Sequence, residues 1–227
     1  MVRVKICGIT TAADARVAVD AGADALGFIF VENTPRFIEP AAAAAIIAWL
    51  PPFVTPVGVF WDHAIGHVKA VAEQCRLGAL QFHGDEPPEA LADHRLPVIK
   101  TIKLPPASTI EGLPEYRTKE GFEVLRYSKV AAAVLLDTTE RWSEGEARRS
   151  VEWRQAALIA STYCHRPRPR LILSGGLTAE NVGRAIAVVK PYAVDVNSGV
   201  EARPGRKDPY KVRRFVAAAR SAPTEGA

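Results

Sequence analysis

Short apolar runs recur along the chain, and between them lie segments whose apolar positions fall at helical spacing. The runs are Val2 to Cys7, Ala25 to Phe30, Thr55 to Phe60, Ala79 to His83, Pro97 to Ile102, Ala131 to Asp137, Arg170 to Ser174 and Ala193 to Asn197. Each is four to eight residues long and bounded by turn-forming residues, which is how strands buried on both faces read. The segments between them carry helix signals. Thr11 with Asp14 reads as a capping box before Ala15, Val17, Ala18 and Val19, with Gly22 as the stop. Pro40 opens an alanine-rich helix to about Leu50, Ser108 with Glu111 forms a second capping box, and Asp208-Pro209 starts a last helix over Tyr210 to Arg220. Eight strands alternating with helices predict a parallel sheet closed into a single-domain (β/α)₈ TIM barrel. The competing open, doubly wound sheet lacks its Gly-x-Gly-x-x-Gly turn here. One domain is expected over residues 1–220, with a small, polar, proline-containing tail over 221–227.

A closed barrel gives meaning to the strand ends, because active sites of such barrels lie on the loops at the C-terminal face. The first strand ends at Cys7-Gly8. Side chains alternate along a strand, so Lys5 and Cys7 share a face, and a nearby cation or helix N-terminus favours a thiolate. The fourth strand ends at His83, the sixth at Asp137, and the eighth carries Asp195 and Asn197 on one face. Asp137 closes the apolar run Val134-Leu135-Leu136. Burial there raises a carboxyl pKa and makes a better acid. Arg36, in the loop after the second strand, has the planar fork to clamp a carboxylate or phosphate, though a surface arginine reads the same way. His83 is equally readable as a structural histidine or a ligand contact.

Two loops point to a phosphate. Ser174-Gly175-Gly176-Leu177 and Asn197-Ser198-Gly199-Val200 each follow a strand, in the seventh and eighth positions where barrels most often hold one. Glycines let backbone N–H groups approach the anion closely. His63 and His67 are spaced for a shared metal, but the sequence supplies no third ligand, so no metal is expected.

Composition narrows the classes. Over 227 residues the hydrophobic content is 48% and the charged content 24%, ordinary values for a globular domain. Cys7, Cys75 and Cys164 are an odd set with no close pair, which fits a reducing cytoplasm. No apolar run reaches membrane-spanning length and no signal-peptide pattern opens the chain. The net charge is +4, and the most basic run, Arg166-Pro167-Arg168-Pro169-Arg170, lacks the broad basic stripe and aromatic partners of a nucleic-acid surface; a mild positive excess suits an anionic substrate. The expected partner is a small phosphorylated molecule, with no nucleic acid and no membrane, and the chain reads as a monomer or homodimer.

Lys5-Ile6-Cys7-Gly8-Ile9-Thr10, Gly27-Phe28-Ile29-Phe30, Pro35-Arg36, Val57-Gly58-Val59-Phe60, Gln81-Phe82-His83-Gly84, Leu135-Leu136-Asp137-Thr138, Gly175-Gly176-Leu177 with Asn181, and Asp195 to Glu201 with Lys207-Asp208 occur in order over nearly the whole chain. Together they resemble the phosphoribosylanthranilate isomerases of tryptophan biosynthesis. The resemblance implies an Amadori rearrangement with no cofactor, in which Asp137 is the general acid and Cys7 the general base. It places Arg36 opposite the anthranilate carboxylate, His83 and Asp195 among the substrate contacts, and Gly175, Gly176, Ser198 and Gly199 in the phosphate cradle. One stretch departs from the family pattern. A Gly-Gly-Thr-Gly loop followed by an aromatic, an aspartate and a tryptophan is replaced by Gly145-Glu146-Ala147-Arg148 and then Val151-Glu152-Trp153. Two other readings stay open: a phosphosugar lyase forming a Schiff base on Lys100 or Lys103, and a catalytically silent homologue, which the altered loop favours.

Overall fold

The structure is a computed structural model and describes residues 1–104, 119–138, 151–164 and 169–223. The Ser108 capping box, the loop from Trp142 to Ser150, and Arg166-Pro167-Arg168 of the basic run lie outside the described residues.

Eight parallel strands close into a barrel in sequence order: β1 (Arg3–Ile6), β2 (Ala25–Ile29), β3 (Thr55–Phe60), β4 (Ala79–Phe82), β5 (Val98–Leu104), β6 (Ala133–Thr138), β7 (Arg170–Leu173) and β8 (Ala193–Val196). β8 returns to β1 with Lys5 opposite Asp195. Cys7, His83, Ser174 and Asn197 fall just beyond their strands, and β5 runs two residues past its expected end at Ile102. The helices are α1 (Ala12–Asp20), α2 (Pro40–Ile47), α3 (Ile65–Gln74), α4 (Pro88–Ala92), α5 (Lys119–Tyr127), α6 (Trp153–Tyr163), α7 (Val182–Val189) and α8 (Pro209–Ser221). A small antiparallel hairpin, β9 (Glu201–Arg203) and β10 (Arg206–Lys207), follows β8.

Local chemistry sets the helix ends. The Thr11 side chain accepts from Asp14 N at 3.2 Å, and Asp208 accepts from Tyr210 N and Lys211 N at the start of α8. α2 ends three residues before the expected Leu50, because Trp49 N and Leu50 N tighten to three-residue turns ahead of Pro51-Pro52. α8 extends through Ser221, and Arg220 anchors its end by donating to Val2 O, Gly22 O and Asp24 Oδ2. No helix among the described residues is long and apolar enough to cross a membrane.

The core has two shells. Outward residues such as Ile6, Leu26, Phe28, Leu80, Leu136 and Val194 pack against the helices. Inside the barrel a smaller apolar plug is formed by Val57, Ala79, Ile99, Ala133, Leu135, Ile172 and Ala193. Two residues further along the same strand faces, the lining turns polar: Gln81 follows Ala79, Thr101 follows Ile99, Asp137 follows Leu135, and Asp195 follows Ala193. The plug therefore floors a polar chamber at the C-terminal end of the barrel.

Candidate active site

Lys5 and Cys7 do share the inward face. Lys5 Nζ donates to Asp195 Oδ1 at 2.7 Å, with both side chains buried, and Ser174 Oγ donates to Asp195 Oδ2 at 3.3 Å. Space for this arrangement is made by Gly27 on β2, where a Cβ would lie 2.6 Å from Cys7 Sγ and 3.1 Å from Lys5 Nζ. Burial pulls the Lys5 ammonium down, but Asp195 and Cys7 outweigh it and its pKa stands above the ordinary value. The thiol differs from the sequence expectation of a favoured thiolate. Burial pushes the Cys7 pKa up, further than Lys5 and Lys207 pull it down.

Beside Cys7 sits a second buried ionic group. Arg36 Nε and Nη2 donate in a fork to Glu201 Oε1 and Oε2 at 2.9 and 2.7 Å. Arg36 also lies against the turn after Cys7, since a Cβ on Gly8 would be 3.1 Å from its Cδ. Lys207 Nζ donates to Glu201 Oε1 at 3.2 Å and to Asn197 Oδ1 at 3.0 Å, and Gly205 N also donates to Glu201 Oε1, at 3.2 Å. Burial pushes Glu201 up, but Arg36 and Lys207 hold it below the ordinary carboxylate value. Lys207 is pushed down by burial, against the pull of Glu201.

Across the chamber, Asp137 is buried, and its Oδ1 accepts from Thr138 N at 2.8 Å. His83 Nε2 lies 3.7 Å from Asp137 Oδ2. Trp61 extends this wall: its ring meets His83 edge-on at 5.1 Å, and Lys103 Nζ sits 4.2 Å above it. Lys100 is buried, with its ammonium on Gly84 O and on Glu86 Oε2. The ammonium groups of both candidate Schiff-base lysines are therefore engaged.

The glycine loops meet at the side of the mouth between β7 and β8. Gly175 and Gly176 have φ of +82° and +63°, and the side chain of Asn181 pins their loop by accepting from Thr178 N and donating to Gly176 O. Ser198–Val200 forms a single 3₁₀ turn, and Gly199 packs so closely on Leu177 O that a Cβ would overlap it. Together the two loops open on a cavity of about 470 Å³ that also touches Lys211 and Arg214. Elsewhere, the ring of His63, just before α3, stacks at 5.0 Å on that of His67 in its first turn. No group of three or more metal-ligating side chains occurs among the described residues.

The family model for N-(5'-phosphoribosyl)anthranilate isomerase matches residues 4–218. The chain belongs to the N-(5'-phosphoribosyl)anthranilate isomerase family. It is 44% identical over 220 residues to the isomerase of Geobacter sp. (strain M21), covering 97% of this chain and 98% of that one. It is 41% identical to that of Pelobacter propionicus, over 99% of each. The crystal structure of phosphoribosyl anthranilate isomerase from Thermotoga maritima superposes with a TM-score of 0.82 at 38% identity, covering 97% of this chain and 99% of that one. A complex of such an isomerase with reduced 1-(o-carboxyphenylamino)-1-deoxyribulose 5-phosphate gives a TM-score of 0.79, also at 38% identity, over 97% of this chain and 99% of that one.

Of the positions picked out by resemblance to the isomerase family, Cys7, Arg36, His83, Asp137, Gly175, Gly176, Ser198 and Gly199 gather at one end of the barrel. Asp195 lies one layer deeper, with its oxygens on Lys5 and Ser174. Glu201 and Lys207 belonged to quoted motifs but carried no assigned role, and Trp61 was not singled out. A signal for the first two existed in the pattern: opposite charges at Glu201 and Lys207 flanking a Pro204-Gly205 turn, directly after a strand-end loop. Glu152 was counted as a loss from the family pattern, yet it keeps the local function of an acidic helix cap by accepting from Gln155 N at 2.7 Å.

Proposed function

We propose that this chamber performs the family's reaction with Cys7 as base and Asp137 as acid. The activity is isomerisation of N-(5-phosphoribosyl)anthranilate to 1-(2-carboxyphenylamino)-1-deoxyribulose 5-phosphate in tryptophan biosynthesis. The observation that carries the residue assignment is the opposition of a thiol and a carboxyl, both buried, across a chamber flanked by two glycine loops.

The substrate phosphate binds between Gly176 and Gly199, where short side chains let backbone N–H groups reach it. The ribose spans the chamber from the glycine loops after β7 and β8 to the loop after β2 that carries Arg36. The anthranilate carboxylate goes to Arg36, whose fork Glu201 holds in place. His83 bounds the ribose beside Asp137, and Asp195 bounds the site from below through Lys5.

Asp137 gives its proton to the ribose ring oxygen as the bond from C1′ to that oxygen breaks, leaving a Schiff base between C1′ and the anthranilate nitrogen. The Cys7 thiolate then removes the proton from C2′, and the electron pair moves to give the enolamine. The enolamine takes a proton at C1′ as its C2′ hydroxyl loses one and becomes the ketone. Substrate and product are isomers: the proton Asp137 gives up equals the one Cys7 takes up, and Cys7 must lose its proton and Asp137 regain one, by exchange with solvent, before the next turnover. Electrostatic pre-organisation around a buried acid and base is typical of such catalysis.

The test is growth without tryptophan of a host lacking this isomerase, with the natural chain and with Cys7→Ala. Growth with the natural chain alone is the expected result. Growth with both would remove Cys7 from the mechanism, and growth with neither would favour a silent ligand-binding homologue.

A further inference from the structure

We propose that Lys207 is a positioning residue for the reaction: its buried ammonium, held by Glu201 and Asn197 beside the Cys7 turn, supplies the uncompensated positive charge that the Cys7 thiolate answers. The proposal rests on the reading of Cys7 as the base, and goes beyond it by assigning what makes that base available.

Charges facing Cys7 come from several elements. Lys5 lies on its own strand and Asp195 on β8; Arg36 comes from the loop after β2, Glu201 from β9 and Lys207 from β10. Asp137 and His83 stand across the chamber, on β6 and after β4. On the near side, three cations meet two carboxylates. Asp195 takes the charge of Lys5 in a 2.7 Å contact, and Glu201 is shared between Arg36 and Lys207. That near-side group carries one positive charge in excess while Cys7 is a thiol and becomes neutral when the thiolate forms.

Geometry selects Lys207 as the carrier of that excess. Arg36 takes the fork geometry of Glu201 with two short bonds of 2.7 and 2.9 Å, whereas Lys207 reaches the same carboxylate with one longer contact of 3.2 Å. The other partners of Lys207 are neutral: the side-chain and backbone oxygens of Asn197, at 3.0 and 3.3 Å. Asn197 Oδ1 in turn lies 2.7 Å from where a Cβ on Gly8 would be, so the ammonium is one side chain away from the residue that follows the thiol. The side chain of Lys207 has no solvent exposure, and a charge placed there is little screened. The attraction is mutual: Lys5, which also hydrogen-bonds the thiol, pulls the Cys7 pKa down most, Lys207 adds a smaller pull in the same direction, and the thiolate draws that of Lys207 up.

The hairpin makes this placement possible. β9 and β10 turn the chain back so that Lys207 lies opposite Glu201 in the ladder, and Thr10 Oγ1 donates to Gly205 O at 2.6 Å, tying the turn to the segment after Cys7. An element outside the barrel thereby delivers a charge to the barrel's first strand end.

The experiment is the pH dependence of Cys7 alkylation by iodoacetamide in the full chain, read by mass on the Cys7 peptide so that Cys75 and Cys164 do not contribute. It compares the natural protein with Lys207→Gln, which keeps a donor to Asn197 and Glu201 but no charge, and Lys207→Arg, which keeps the charge. A buried, unscreened cation favours a thiolate near it. Lys207→Gln is expected to shift the alkylation midpoint up by about one unit, slowing alkylation about tenfold at a fixed pH below the midpoint. The same variant should lower kcat more than it raises KM, and move the thiol limb of the pH–rate profile to higher pH. Lys207→Arg should restore most of the shift. Coincident alkylation curves for Lys207→Gln and the natural protein would overturn the proposal, as would Lys207→Arg behaving like Lys207→Gln. Failure of both variants to fold would make Lys207 a folding residue and overturn it too. Alkylation reads the charge state of the thiol whatever its catalytic role, so loss of the base assignment, read as full turnover in Cys7→Ala, is a separate outcome.

Discussion

The thiol side and the carboxyl side of the chamber are assembled over very different sequence distances. Around Cys7 the decisive contacts join residues far apart in the chain: Lys5 to Asp195 across 190 positions and Arg36 to Glu201 across 165. Around Asp137 the carboxylate is aimed by the N–H of the very next residue, at 2.8 Å, and the contact with His83 comes from two strands away. The environment of the Cys7 thiol thus exists only once β8 has closed on β1 and the β9–β10 hairpin has folded back. The Thr138 N–H that Asp137 accepts is in place as soon as β6 ends. Perturbing the closure should therefore disturb the thiol before it disturbs the carboxyl.

The largest effect should come from deleting either reacting group. Acid and base contributions are typically about 10² to 10⁴-fold, so Cys7→Ala and Asp137→Asn should each lower kcat by roughly that factor while circular dichroism stays native. Cys7→Ser should be nearly as impaired, since a hydroxyl is a far weaker acid than a thiol. Near-normal turnover in Cys7→Ala and Asp137→Asn would erase the division of labour between the two sides.

Next in size is the contact that locks the two glycine loops together. A Cβ on Gly199 would overlap Leu177 O, a backbone atom that moves only with its loop. Overpacking of this kind costs about 1–3 kcal/mol, and Gly199→Ala should weaken competitive inhibition by inorganic phosphate by roughly tenfold. Its effect should fall on KM more than on kcat, because neither reacting group is displaced. A fall in kcat matching that of Cys7→Ala would mean that the loops position the chemistry and not the anion.

Acid titration reaches the thiol side through Glu201. Glu201 is held below its ordinary value of 4.5 by Arg36 and Lys207. A carboxylate with a depressed folded-state pKa contributes stability that is complete above its unfolded value and is lost as the pH falls through the folded one. Urea stability of the natural protein should therefore decline below about pH 4.5, and Glu201→Gln should flatten that decline while lowering stability at neutral pH. An unchanged slope in Glu201→Gln would show that other carboxylates dominate acid unfolding.

The same contrast explains what could be read from the sequence. All eight strands were legible, because each is a short apolar run cut off by turn residues and the barrel places them side by side in chain order. Candidate chemistry at their ends was legible for the same reason: alternation of faces puts Cys7 over Lys5 and Asp137 at the top of β6. The sign of the thiol shift was not, because Lys5 is visible two residues from Cys7 whereas the depth of burial, which outweighs it, depends on seven other strands. Nor did any local pattern show that Glu201 pairs with Arg36, since no periodicity spans 165 residues. Short-range features such as the Asp208 cap and the Gly22 stop were readable, and the end of α2 was overrun because apolar Trp49 and Leu50 continue its pattern past the last helical bond.

The smallest expected effect lies on the carboxyl side, at the helix that follows it. Glu152 caps α6 through Gln155 N, and loss of a helix cap typically costs about 1 kcal/mol. In a chain of this size that corresponds to a fall in Tm of about 2–4 °C for Glu152→Ala. Asp137 takes its aim from Thr138 N, so loosening the start of α6 should leave the carboxyl in place and kcat within about twofold of the natural value. Glu152→Asp, which restores the family's residue, should keep the cap and the natural Tm. If Glu152→Ala instead lowered kcat tenfold at an unchanged Tm, the acid would depend on the segment between β6 and α6 as much as the base depends on the β9–β10 hairpin, and the contrast between the two sides would fail.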